Sequence, residues 1–223
     1  RRRGGSLAAA GALHLRGHAP AHGLILHSLG EEAAREEPRE EAAAAAAAAT
    51  DRLAAIGASG LVGSNIVRAA LQRGYAVNGT LRDKDAPEKA CYLTALPGAE
   101  KLSLFSAEMS DEASFVAPLA GADGVFIACL IPTYRGSDGT PAKEMDDVRG
   151  YAEIIMPTVD GCLNILRAAY QQGVRTAVIC SSTSSTNPVP PVSVKNEVEH
   201  WSDADEQCRE KKYTSATKTI MEK

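Results

Sequence analysis

A chain of 223 residues is long enough for one α/β domain with a core of its own. With 44% apolar, 23% charged and only 4% aromatic residues, that core must rest on Ala, Val, Ile and Leu. A net charge of −4 gives no general attraction to nucleic acid or to an anionic membrane, and no apolar run approaches the roughly 18 residues that cross a bilayer.

Residues 1–50 read as a low-complexity extension. Arg1 to Arg3, a Gly/Ala-rich stretch, an acidic run from Glu31 to Glu41 and the alanines Ala42 to Ala49 offer few large apolar side chains to offset ordering entropy. A helix over Glu40–Ala49 is the one local expectation there. His14, His18, His22 and His27 recur at near-helical spacing, but Gly17, Pro20 and Gly23 oppose a helix and no Cys or carboxylate lies among them, so no metal site is predicted. The five cysteines (Cys91, Cys129, Cys162, Cys180, Cys208) are scattered without a CxxC pair, which suits a reduced, cytoplasmic protein.

From residue 51 to 223 strands alternate with helices. Strands are predicted over Leu53–Ile56, Tyr75–Leu81, Leu102–Phe105, Gly124–Leu130 and Val174–Cys180. Helices are predicted over Leu61–Arg73, Asp85–Leu96, Asp111–Leu119, Ile154–Gln172 and Lys212–Lys223, with a polar loop from Pro132 to Met145. The alternation implies a parallel sheet covered on both faces.

The first strand runs into Gly57-Ala58-Ser59-Gly60-Leu61-Val62-Gly63, a GxxGxxG turn that opens a helix. Gly57 permits the tight turn, Gly60 lets a pyrophosphate approach the backbone, and Gly63 lets the helix pack close to the sheet. The amides from Ser59 through Leu61, Val62 and Gly63 then face an anion at the helix start. In this context the motif predicts a Rossmann-type, doubly wound α/β domain that binds a dinucleotide. Residue choice at the end of the second strand separates the two nicotinamide cofactors. NAD binding calls for a carboxylate there, but Arg82 comes first, with Asp83 behind it and Lys89 downstream. A guanidinium suits a 2′-phosphate, so NADP(H) is favoured over NAD; the competing reading pairs Arg82 with Asp83.

The stretch from Ala55 to Asp83 resembles the extended short-chain dehydrogenase/reductases, within the NAD-dependent epimerase/dehydratase superfamily. The dihydroflavonol reductase and cinnamoyl-CoA reductase group is the nearest in pattern. Blocks in the same order strengthen the likeness: Leu96 to Glu100, Gly121 to Phe126, Pro157 to Leu166, Cys180-Ser181-Ser182, Trp201-Ser202-Asp203 and Lys218 to Lys223. The resemblance implies that Arg82 and Lys89 hold the NADP phosphate and that Glu108, with Met109 beside it, stands where the family has an Asp near the adenine. It implies that Ser182 orients a substrate carbonyl. Lys218 would bond the nicotinamide ribose and lower the pKa of a catalytic tyrosine. The activity implied is NADP(H)-dependent reduction of a ketone, aldehyde or acyl thioester of a small organic substrate by hydride transfer.

The chain departs from that pattern in three places. The family's tyrosine precedes its lysine by four residues, whereas Tyr213 precedes Lys218 by five, which on a helix is about 140° round instead of about 40°. Either Tyr213 reaches the site as the acid from an irregular first turn, or it is a packing residue. The segment Thr133–Arg149 is long and polar, either a substrate lid or an insertion. Family members also continue beyond the helix that holds Lys223, so the sequence is expected to stop short of a C-terminal substrate lobe. Two alternative functions follow: a nucleotide-sugar epimerase or dehydratase with bound NAD, which Arg82 opposes, and a non-catalytic NADP-binding regulator, which the Tyr–Lys spacing favours.

Overall fold

The computed structural model describes residues 51–196 and 198–223. The expectations for the N-terminal extension, its helix and its histidines lie outside the described residues.

Five short strands form the sheet: β1 (Arg52–Ile56), β2 (Ala76–Leu81), β3 (Leu102–Ser106), β4 (Gly124–Ile127) and β5 (Thr176–Ile179). All neighbours are parallel and the order is β3-β2-β1-β4-β5, the doubly wound Rossmann arrangement with the chain reversing direction at β1. Successive side chains of β1 point to opposite faces: Ala54 and Ile56 enter one core cluster and Ala55 the other. The Ala55 face is covered by α1 (Leu61–Gln72) and α2 (Pro87–Thr94) through Val67, Ala70, Leu71 and Leu93. The opposite face is covered by the single-turn α3 (Val116–Leu119) and by α5 (Met156–Gln171). Phe115, Leu119, Cys162, Ile165 and Ala169 fill that layer, joined by Met221 from the last helix. Between them α4 (Asp147–Gly150) and a π-helical turn (Tyr151–Ile155) lead into α5 and pack, through Ile154 and Ile155, with Tyr213 and Ala216 in a third cluster. The chain then adds α6 (Ala204–Arg209) and α7 (Tyr213–Glu222). Among the described residues no helix is long and apolar enough to cross a membrane.

Four local differences from the sequence expectations have physical causes. β4 stops at Ile127, not Leu130: Ala128 N–H still donates to Ile56 O at 2.9 Å, but the chain then bends round the glycine turn and Ile131 N–H folds back to Cys129 O at 2.7 Å. The helix predicted from Asp111 begins as a 3₁₀ turn (Glu112–Phe115), with the Asp111 carboxylate accepting from Ala113 N–H at 3.0 Å. The helix predicted from Ile154 starts earlier and widens to a π turn just before Pro157, which has no N–H for the carbonyl four residues back. Helix α6 was not predicted; its Asp203 cap, accepting from Glu206 N–H at 2.9 Å, follows the D-x-x-E pattern of a helix start.

Candidate functional site

The glycine turn is held to β2 by two bonds, Gly57 N–H to Thr80 Oγ1 at 3.2 Å and Ala58 N–H to Thr80 O at 2.7 Å. Gly57 sits at φ +85°, and a Cβ there would fall 2.8 Å from the Cβ of Cys129. A Cβ on Gly63 would stand 2.1 Å from the carbonyl oxygen of Gly57, so α1 can lie this close to the turn only with glycine. Gly60 is different: a Cβ there would meet only Gly57 O, at 3.4 Å, and otherwise project into open space. Gly60 caps α1 without a side-chain bond, and the first amides of a helix have no acceptor within it. Leu61 is 84% exposed on that rim, an unusual place for a large apolar side chain. Open backbone, donors facing out and a positive helix end fit a diphosphate.

Arg82 is exposed just past β2, and Lys89 is exposed in the first turn of α2. Among the described residues neither joins an ion pair. The neighbouring charges are engaged elsewhere: Asp83 Oδ1 accepts from Asp85 N–H at 3.0 Å, and Lys84 pairs with Asp85 at 2.7 Å. The competing pairing of Arg82 with Asp83 is therefore not formed. Tyr92, one turn beyond Lys89 on α2, donates its hydroxyl to Ser59 O and ties that helix to the glycine turn. Sequence reasoning passed over Tyr92, although its i+3 spacing from Lys89 puts both on one helix face. Glu108 lies exposed beyond β3. Met109 packs under Gly161, where a Cβ would come within 2.9 Å, and its carbonyl accepts from Asn164 Nδ2 at 2.9 Å.

At the carboxyl ends of β4 and β5 a cleft of about 350 Å³ opens, lined among others by Val62, Tyr134, Ser182, Thr214 and Lys218. Lys218 is 8% exposed and donates to the carbonyls of Leu130, three residues past β4, and, at 3.1 Å, Cys180, the residue after β5. Burial pushes its ammonium below the ordinary lysine pKa of 10.5. Two of its three N–H donors are used by these carbonyls, which leaves one for the cleft. Ser182 Oγ accepts from Ser184 N–H at 3.2 Å and from the Ser184 hydroxyl at 3.0 Å. Its own O–H remains available to a ligand, and the side chain is exposed to the cleft.

Tyr213 is not part of this group. It is 1% exposed, its ring lies against Gly150, and its hydroxyl donates to Asp147 Oδ1 at 2.9 Å and reaches Met145 O at 3.3 Å. The expected acid is therefore corrected to a packing residue. Helix α7 is regular from Tyr213 onward, with Thr217 Oγ1 donating to Tyr213 O at 2.8 Å, so five residues carry Tyr213 away from the face of Lys218. Thr214, four residues before the lysine, takes the cleft position instead.

Comparison with known proteins agrees with this geometry. Residues 57–219 match the NAD(P)H-binding family. The chain is 38% identical over 173 residues to dihydroflavonol 4-reductase of Hordeum vulgare, covering 75% of this chain and 46% of that protein. The chain belongs to the NAD(P)H-binding family, in its extended short-chain dehydrogenase/reductase, dihydroflavonol-reductase-like group. Within the same family, it is 32% identical over 174 residues to anthocyanidin reductase of Vitis vinifera, covering 75% of this chain and 48% of that protein. Among solved structures, vestitone reductase of alfalfa (Medicago sativa L.) aligns at 31% identity with a TM-score of 0.53, over 77% of this chain and 50% of that one. The NADPH complex of yeast methylglyoxal/isovaleraldehyde reductase aligns at 21% identity with a TM-score of 0.56, over 77% and 50%, and shares the fold. The chain spans about half the length of the curated relatives it matches.

Proposed function

We propose that this protein reduces the carbonyl of a small organic substrate, a ketone, aldehyde or acyl thioester, with NADPH. The observation that carries the reading is one cleft holding both the Lys218 ammonium and the Ser182 hydroxyl beside Val62, at the helix start that would receive the diphosphate. Bound there, the cofactor supplies the hydride. The amides of residues 59–63 and the dipole of α1 bind its diphosphate. Arg82 and Lys89, neither of which joins an ion pair among the described residues, hold a 2′-phosphate, which argues for NADP(H) over NAD. Lys218 hydrogen-bonds the nicotinamide ribose and keeps a positive charge beside the reacting carbonyl. Ser182 donates its free O–H to the carbonyl oxygen and fixes its direction.

The reading is tested on the whole protein by titrating NADPH and NADH and then following NADPH oxidation against ketones and aldehydes. Tight NADPH binding with turnover of at least one carbonyl, lost in Lys218→Met, is the expected result. One observation favours a second reading: Tyr213 is fully occupied by Asp147, so the family's usual acid is absent and a non-catalytic NADP-binding regulator would look the same at the cofactor turn. NADPH binding without reduction of any carbonyl would select it.

A further inference from the structure

Building on the reductase reading, we infer that Tyr134 is the proton donor of this cleft, a phenol brought in by the loop after β4 in place of one on the lysine's helix. The chain has six tyrosines, and five are placed elsewhere. Tyr213 is buried on Asp147, and Tyr92 is bonded to the carbonyl of Ser59. Tyr75 lies before the amino end of β2, Tyr151 in the π turn and Tyr170 at the far end of α5. Tyr134 lines the cleft together with Ser182, Thr214 and Lys218. Thr214 has the helical spacing of the missing acid, but an aliphatic alcohol is far too weak an acid for the task.

The loop carrying Tyr134 is built to hold it. Lys218 anchors its start by donating to Leu130 O, four residues before Tyr134. Ala142 N–H donates to Tyr134 O at 2.9 Å, and Arg135 bridges to Pro141. Behind this closed turn, Arg149 pairs with Asp138 and with Glu153, both at 2.6 Å, and Glu153 Oε2 accepts from Ser137 N–H at 2.9 Å. The phenol is 69% exposed, at the mouth of the cleft, where it can exchange protons with water.

In the step, hydride with its electron pair passes from the reduced nicotinamide to the carbonyl carbon as the C=O π bond breaks. The oxygen takes the Tyr134 proton, giving the alcohol, the oxidised nicotinamide and a phenolate. Lys218 stabilises that phenolate electrostatically, and water returns the proton.

The test uses the whole protein. Tyr134→Phe is expected to bind NADPH with unchanged affinity, read by fluorescence titration, while kcat falls about a hundredfold or more. Tyr213→Phe, if folded, keeps its turnover. Replacing Tyr134 by a fluorinated tyrosine, a stronger acid of the same shape, shifts the pH limb of kcat to lower pH, which a packing role would not do. If the parent enzyme turns over and Tyr134→Phe retains kcat within a few-fold, or the fluorinated phenol leaves the pH profile in place, the assignment of Tyr134 is overturned while the reductase reading stands. If the parent binds NADPH and reduces none of the carbonyls, both fall.

Discussion

The hydroxyl of Tyr213 donates to Oδ1 of Asp147 at 2.9 Å, and the same carboxylate oxygen takes the Lys211 ammonium at 2.8 Å. This knot joins the start of α7 to α4, with the Lys211 ammonium 5.8 Å from the centroid of the Tyr213 ring. Tyr213→Phe should therefore unfold at a lower temperature while keeping NADPH affinity and kcat, read by thermal denaturation and steady-state kinetics. A folded variant with kcat down about a hundredfold would return the acid role to Tyr213. Lys211 first, and Tyr213 second, hold the Asp147 carboxyl below its ordinary 3.8. Stabilisation from this group is present above that value and is lost as pH falls through the lowered one. Asp147→Asn should be the less stable protein at neutral pH, and the two should converge in acid.

Among the described residues Arg82 joins no ion pair while Lys84, two residues on, is paired with Asp85, and this contrast predicts cofactor choice. Arg82→Ala should weaken NADPH about 10- to 100-fold, the value of a charge-assisted bond to phosphate, and leave NADH nearly unchanged. Calorimetric titrations with both nucleotides at two salt concentrations would check it. The parent's preference for NADPH should shrink as salt rises.

For Lys218 the effects of pH on activity and on stability have opposite signs. Burial lowers its folded pKa below 10.5, so the ammonium is lost earlier than in a free lysine as pH rises. Catalytic rate should fall as the ammonium is lost, and Lys218→Met should run at least about a hundredfold slower and keep only the alkaline limb of the Tyr134 phenol. Across the window between the lowered folded value and 10.5 the unfolded chain holds more protons. The lysine's contribution to stability therefore improves as pH climbs. Paired pH–rate and pH–denaturation curves would show the crossing.

The sheet and the glycine turn were legible because each rests on local signals: short apolar strands, and glycines at positions 57, 60 and 63 spaced as a strand-to-helix turn requires, with Gly63 fitted against Gly57 O. The five-residue interval between Tyr213 and Lys218 also carried its message, since helix geometry alone separates their faces. What replaced the tyrosine was not legible. Tyr134 and Lys218 are brought together by a loop closed through Arg149, Asp138 and Glu153, and no periodicity in the sequence joins those positions. Tyr92 on Ser59 O is hidden for the same reason, because a contact across 33 residues depends on how α2 docks. The end of β4 was misread because Cys129, Leu130 and Ile131 are as apolar as the strand, while the bend is imposed by the turn that Cys129 packs against.

Arg149 should be the pin of the 133–145 loop. Its guanidinium bonds Asp138, Glu153 and, at 3.4 Å, Thr140 Oγ1, and a Cβ on Gly136 would stand 2.9 Å from one of its nitrogens. Arg149→Ala should leave the sheet intact but raise hydrogen exchange over residues 135–141 and make that stretch the first site of limited proteolysis. Substrate KM should rise with it, and NADPH affinity should not change. Exchange equal to the parent's would show that the bridge from Arg135 to Pro141 suffices to hold the loop.

Two glycines of one motif should fail in different ways. An alanine methyl at position 63 meets the backbone oxygen of Gly57 at 2.1 Å, and the turn cannot yield without losing its bonds to Thr80. Gly63→Ala is expected to cost about 1–3 kcal/mol of stability or more and to lose the cofactor as a consequence. At position 60 the methyl touches only Gly57 O, at an ordinary 3.4 Å, and the change at a helix cap costs about 1 kcal/mol or less. Gly60→Ala should therefore fold and melt nearly as the parent does, with the same circular dichroism. The methyl would nevertheless occupy the space over the amides of residues 61–63 where a diphosphate oxygen must come, so NADPH affinity should fall about tenfold or more. Nucleotide titration beside thermal melting separates the two effects, and an unaltered affinity in well-folded Gly60→Ala would remove the diphosphate from this turn.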